Sequence, residues 1–305
     1  CIGIFGGDGA TIGPIALRDE PAPGLDPSIS LAGFFSEGLA LSRDGKVAFR
    51  AYLKGPGVTG TNQTAIYFGA SGTLALVARQ GQSVDSTTLG ALSPPSVNAD
   101  GQVVFESANS VWLWSSDKGL ARVAAVGGTL DGGGTITRIW DHPQLGANGR
   151  ILIDAEIDDT PALLLWDGTL KVVVKVGDPA PGVDGTPSIA SLHGINMLNA
   201  KGQVVFGGSL ETDDVVITTE NRDCLWITDP SGTPHLVLRT EGTLALGPFD
   251  VRQVTEWKLS EEDGETYGFG PRESGYPSSF NDKGELGVVV RFLDGLLAYV
   301  VSRVE

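Results

Sequence analysis

The chain carries almost no sulfur: two cysteines, Cys1 and Cys224, and one methionine in 305 residues. That count excludes a disulfide-built scaffold and a cysteine-bound zinc cluster. A Cys1–Cys224 bridge would need their Cα atoms close together, which the spacing leaves open. Histidine is equally sparse. His142, His193 and His235 are spread over separate predicted units, and lone histidines are poor candidates for a metal centre. Positive charge is short as well. Against 37 Asp and Glu stand 21 Lys and Arg, a formal charge of -16. Such a surface repels phosphate backbones and anionic lipid, so nucleic acid is not an expected partner. The same charge serves solubility; in a sharper reading it draws calcium or a cationic partner. No apolar run reaches the ~18–20 residues a membrane helix needs, so no transmembrane segment is expected. No secretory leader is visible, and the chain reads as mature or trimmed. Low cysteine and an acidic balance suit an exported bacterial protein. Cys1 could bear the lipid of a bacterial lipoprotein, but Cys1-Ile2-Gly3-Ile4-Phe5 reads as strand rather than polar tether, which favours a processing boundary.

Glycine is what the chain has in excess: 43 glycines beside 17 prolines, with 41% hydrophobic and 19% charged residues. A glycine share about twice the usual one, without a collagen period, points to many tight turns between short strands. The turns share one phrase. Leu198-Asn199-Ala200-Lys201-Gly202-Gln203-Val204-Val205-Phe206 repeats Val97-Asn98-Ala99-Asp100-Gly101-Gln102-Val103-Val104-Phe105. Weaker copies begin at Leu41, Leu145 and Phe280. A strand ends, the chain reverses, and a strand with the two-residue period begins, as in Val47, Phe49, Ala51 and Leu53. The turn glycines Gly45, Gly101, Gly149, Gly202 and Gly284 are 56, 48, 53 and 82 residues apart.

A period near fifty with four short strands per unit predicts an all-β β-propeller, with five blades expected and six as the alternative. It reads as one domain over 1–305, with a non-repeat insertion at 240–279. The fifth unit shows only two strands of its own. The expected closure pairs Ile12–Leu17 with the strand near 296–302, joining N- and C-terminal strands in one blade. One of the six candidate third strands is then surplus. A second phrase also repeats: Asp19-Glu20-Pro21-Ala22-Pro23-Gly24 matches Gly177-Asp178-Pro179-Ala180-Pro181-Gly182.

With these phrases laid out, the chain resembles secreted bacterial tandem-repeat proteins that carry Asn-x-x-Gly-x-x-x-Phe repeats and varied C-terminal anchors. The residues that carry the resemblance are 98–105, 199–206, the loop 54–62, the 177–182 phrase and the closing portion 250–295. The resemblance implies export and attachment to a cell surface, with a binding or structural role and no assigned activity.

The residues offer few sites for chemistry. There is no Gly-x-Ser-x-Gly, and Cys224 beside Trp226 in an apolar strand reads as a buried, inert thiol. Asp154 and Glu156 alternate on one strand, with Asp141 just before that unit. They are the candidates for a carboxylate pair, the requirement of a glycoside hydrolase or lyase, which is the alternative function. No catalytic residue is assigned. Calcium is the candidate cofactor: Glu261, Glu262, Asp263 and Glu265 offer hard oxygen ligands, as do residues 211–214, but without the alternating spacing of a calcium loop. Tyr67, Trp112, Trp114, Trp166 and Trp226 recur in third strands and read as packing between sheets. Trp140, Trp257, Tyr267 and Tyr276 lie outside that pattern. They are the candidate contacts for a glycan or a surface protein, and self-assembly through a free edge strand is a further expectation.

Overall fold

The structure is a computed structural model and describes residues 2–7, 11–140, 142–212, 216–259 and 279–303. Among these residues there is no helix. The strands form five antiparallel up-and-down sheets, each built mainly from consecutive stretches of chain. In chain order they run from Ser30–Phe34 to Ala75–Arg79, from Ser96–Val97 to Gly119–Ala125, from Ile136–Ile139 to Leu170–Lys175, from Ile189–Leu198 to Pro234–Arg239, and from Thr243–Gly247 to Leu297–Arg303. Gly3–Gly7 and Ile12–Leu17 form a separate hairpin, and a second small hairpin joins Ser83–Val84 to Thr87–Thr88.

The sheets pack face to face in sequence. Phe68, Phe105, Trp112 and Trp114 fill the space between the first and second sheets. Val104, Ile153 and Leu164 lie between the second and third. Leu163, Phe206 and Trp226 join the third to the fourth, and Val205, Leu225, Val288 and Val290 the fourth to the fifth. The N-terminal hairpin buries Ile4 and Ala16 against Val47, Phe49 and Tyr67 of the first sheet. The recurring aromatics of the third strands are therefore core. Trp112, Trp226 and Tyr67 are fully buried, and Trp226 stacks on Phe206 at 5.3 Å.

The repeated turn owes its form to one side chain. Asn199 Oδ1 accepts the N–H groups of Lys201 and Gln203, and Asn98 does the same for Asp100 and Gln102. The fourth residue then needs a left-handed backbone, which Gly202 supplies at φ 82°. The Asn amide reaches the neighbouring sheet: Asn98 Nδ2 donates to the Gly146 carbonyl at 3.2 Å, and Asn199 Nδ2 to the Asn281 carbonyl at 3.1 Å. Gly146 stands where the third turn would have its Asn, and there Asn148 donates to the Ala200 carbonyl at 2.8 Å instead. Arg43 and Asp282, 3.8 Å apart, bring the first turn beside the fifth.

A second device marks the entry to every sheet. The N–H groups of Asp19, Gly81, Gly127, Gly177 and Glu241 donate to the carbonyls of Leu31, Leu89, Ile136, Ile189 and Val254, whose own N–H groups donate back one residue further on. Each of those five apolar residues is buried. Only two of the five copies have the Pro-Ala-Pro-Gly phrase.

Two features depart from the expected scheme. Ile12–Leu17 pairs with Gly3–Gly7, while Leu297–Arg303 pairs with Glu285–Phe292. The hairpin's Ile4/Ala16 face is already committed to the first sheet. The fifth unit also has an inner strand of its own, Asp250–Leu259, inside the span read from sequence as a non-repeat insertion. Its β-branched residues favour an extended backbone.

Candidate functional site

Among the described residues, the ladder of the inner strand is interrupted at the same level in four of the sheets. The pairing breaks from Phe34 to Ala40, from Ser93 to Ser96, from Ile139 to Gln144 and, as a bulge within Ile189–Leu198, from Leu192 to Asn196; in the fifth sheet Leu259 pairs with Val288 and Phe280 with Leu286. Opposite the breaks of the first four sheets lies the residue five places after the turn glycine, Arg50, Glu106, Asp154 and Gly207, whereas the fifth copy, Val289, pairs with Lys258 in the regular ladder. The cross-strand partners at this level are Phe35, Ser93, Trp140, His193 and Lys258. The N–H groups of Phe35, Ser93 and Trp140 donate to the carbonyls of Arg50, Glu106 and Asp154 at 3.2, 3.0 and 2.9 Å. The preceding residues of the same strands, Phe49, Phe105, Ile153, Phe206 and Val288, are all buried core. Charge and exposed aromatic surface thus gather in one belt where the inner strands open.

The third sheet carries the richest part of this belt. Trp140 is 43% exposed, and the Arg138 guanidinium lies 3.6 Å from its ring centroid. Arg138 is also 3.7 Å from Glu156. Asp154 faces the fourth sheet, where Asn196 Nδ2 donates to both carboxylate oxygens at 2.8 Å. Gln144 Nε2 donates to the Asn196 carbonyl at 2.9 Å. Both amides are nearly inaccessible, and Gln144 Oε1 has no hydrogen-bond partner. Burial pushes the Asp154 carboxyl up to about 6, with the Asn196 hydrogen bond acting in the opposite direction. Part of the residue nevertheless stays exposed. A second aromatic cluster occupies the same level of the first sheet, where Phe35 stacks on Tyr52 at 4.2 Å and Arg50 lies 4.2 Å from the Phe35 ring.

Of the sequence candidates, Trp140, Asp154 and Glu156 come together. Trp257 does not join them. It sits opposite Val290 and packs half-buried against the core between the fourth and fifth sheets. Tyr267, Tyr276, Glu261, Glu262, Asp263, Glu265, Asp141 and Cys1 lie outside the described residues. Among the described residues, no group of three or more His, Cys, Asp or Glu could hold a metal ion. His193 and His235 share the fourth sheet, on its first and last strands, and face Asp223 at 3.9 Å and Asp229 at 3.2 Å. Cys224 is buried with a free thiol pushed up to about 12 by desolvation. Sequence reasoning missed Arg138, Gln144, Asn196 and Arg50. A fixed count from the turn glycine would have found Arg50; the other three need the facing strands.

Fold and site together define an all-β protein of serial four-stranded sheets with a polar, aromatic belt at the breaks in its inner strands. The chain belongs to the family of unknown function DUF7453, whose model matches residues 2–111 and 106–304. No curated protein matches it. Among solved structures it is similar to an oligogalacturonate lyase in complex with manganese, at 14% identity and a TM-score of 0.43, covering 92% of this chain and 67% of that one. It is also similar to the Aleuria aurantia lectin in complex with alpha-methyl-L-fucoside, at 12% identity and a TM-score of 0.32, covering 87% and 75%. A third is the Penicillium chrysogenum alpha-L-arabinanase complexed with arabinobiose, at 11% identity and a TM-score of 0.28, covering 95% and 99%.

Proposed function

We propose that this protein is a five-bladed β-propeller that binds a carbohydrate at the third-sheet belt, as an exported module of a bacterial cell surface. The five copies of the repeated turn, three of them Asn-x-x-Gly, and the Arg43–Asp282 contact support a ring of five sheets, with the N-terminal hairpin wedged beside the first. The observation that carries the ligand reading is Trp140: an exposed indole held by Arg138 next to two carboxylates. Sugar rings present C–H faces that stack on an aromatic ring, and their hydroxyls are donors that carboxylates accept. Exported repeat proteins of the kind this sequence resembles fit such a surface role.

The test is a glycan-array screen followed by calorimetry on wild type and Trp140→Ala. The expected result is saturable binding that the substitution weakens by at least about tenfold, or 1.4 kcal/mol, without lowering the melting temperature. No binding to any glycan, or equal binding by the variant, overturns the reading.

The Asp154 environment favours glycan cleavage as a second reading. A carboxyl raised to about 6 keeps a proton available near neutral pH, as a general acid must. Release of new reducing or unsaturated ends from a bound glycan, lost in Asp154→Asn, would establish it; an intact glycan after long incubation rejects it.

A further inference from the structure

The interior of the third-sheet site has an unmet electrostatic demand. The Asp154 carboxylate is desolvated, and the side chain that bonds it is the neutral amide of Asn196. The nearby cation, Arg138, is engaged with Glu156 and Trp140. His193, on the facing strand, is turned toward Asp223. Gln144, 7% exposed and bonded to Asn196 through its Nε2, keeps an Oε1 that accepts nothing. One Asn nitrogen cannot saturate a carboxylate, which offers about four lone-pair sites. The cluster therefore holds acceptors without matching donors: two carboxylate oxygens on the partly exposed Asp154 and the buried amide oxygen of Gln144. A protonated primary amine is the complementary group, with three N–H donors, one positive charge and no acceptor.

We propose that the Asp154–Gln144–Asn196 cluster receives the ammonium group of a ligand, and that the glycan bound here carries free amino sugars. This rests on the carbohydrate reading of the Trp140 site. An amino sugar sets its ring against an aromatic while its ammonium reaches a carboxylate, and Trp140 and Asp154 are cross-strand neighbours joined by the Trp140 N–H to Asp154 carbonyl bond. An N-acetylated sugar loses both the charge and two of the three donors. It would leave the buried carboxylate uncompensated, and that asymmetry gives the discrimination.

The test compares a glucosamine trimer, its N-acetylated form and a neutral glucose trimer by calorimetry in 0.15 M salt. A surface of charge -16 attracts any cation, so two matched charge deletions are needed. Asp154→Asn removes the proposed acceptor; Asp100→Asn removes one exposed charge on a turn elsewhere. The expected result is at least about tenfold tighter binding of the amine form by wild type and Asp100→Asn, and loss of that preference in Asp154→Asn. Equal affinity for amine and acetylated trimers overturns the ammonium site but leaves the carbohydrate reading standing. Binding of none of the three, together with an empty glycan array, overturns both. Tight binding of an oligolysine peptide without the amine trimer shows a protein partner and overturns the amino-sugar assignment.

Discussion

Asp154 shows how a residue can work against the fold that holds it. Its carboxyl is pushed from 3.8 to about 6 by burial. Below about pH 3 it is neutral in both folded and unfolded chains, and costs nothing. As pH rises toward 6 the unfolded chain ionises first, so folded stability is lost through that window. Above it the charge costs at most about 3 kcal/mol, because part of the residue is exposed. Asp154→Asn should therefore unfold like wild type at about pH 3 and gain about 1–3 kcal/mol at pH 8, measured by urea denaturation. An equal effect at both pH values would show that the carboxyl is not perturbed. A group that destabilises the fold in its charged form suits a binding site, where a ligand supplies the missing partner. The sequence showed Asp154 and Glu156 on one strand face. It could not show that Asn196, 42 positions away, would cover one and Arg138 the other.

At the scale of the element, the Asn-x-x-Gly turn does two jobs with one amide. Asn199 closes its own turn through Oδ1 and ties the fourth sheet to the fifth through Nδ2. Asn199→Ala leaves two backbone N–H groups and the Asn281 carbonyl without this partner in a nearly inaccessible place. The expected cost is about 2–4 kcal/mol, with a melting temperature lowered accordingly. Asn148→Ala, at an exposed turn with the single Ala200 contact, should cost less than about 1 kcal/mol. Reversal of that order would show that the cross-sheet bonds are not what the repeated Asn supplies. The first and second strands of each unit were legible because turn chemistry and alternation agree there. The inner strand of the fifth sheet was not, since Asp250–Leu259 has no turn of the repeated kind next to it. The interruptions in the first four sheets were also invisible: each adds one to three residues without disturbing the apolar pattern on either side.

For the whole molecule, charge is the term that no single contact reveals. A chain at -16 repels itself when compact, and its described ion pairs are mostly exposed and individually weak. Raising sodium chloride from 0.02 to about 0.5 M should screen this repulsion and raise the melting temperature by a few degrees. A fall with salt would mean that the ion pairs outweigh the net charge.

The sequence by itself determined the all-β character, the unit length, the turns and the core positions. Each of these depends on neighbours within about ten residues, on glycine's left-handed backbone and on two-residue alternation. Only the tertiary structure decided that Ile12–Leu17 pairs with Gly3–Gly7, that Trp257 is packed while Trp140 is exposed, and that Asp154, Asn196 and Gln144 form one cluster. Those outcomes depend on which sheet face meets which. Facing strands come from distant parts of the chain, and the apolar pattern that brings them together is nearly the same in every unit.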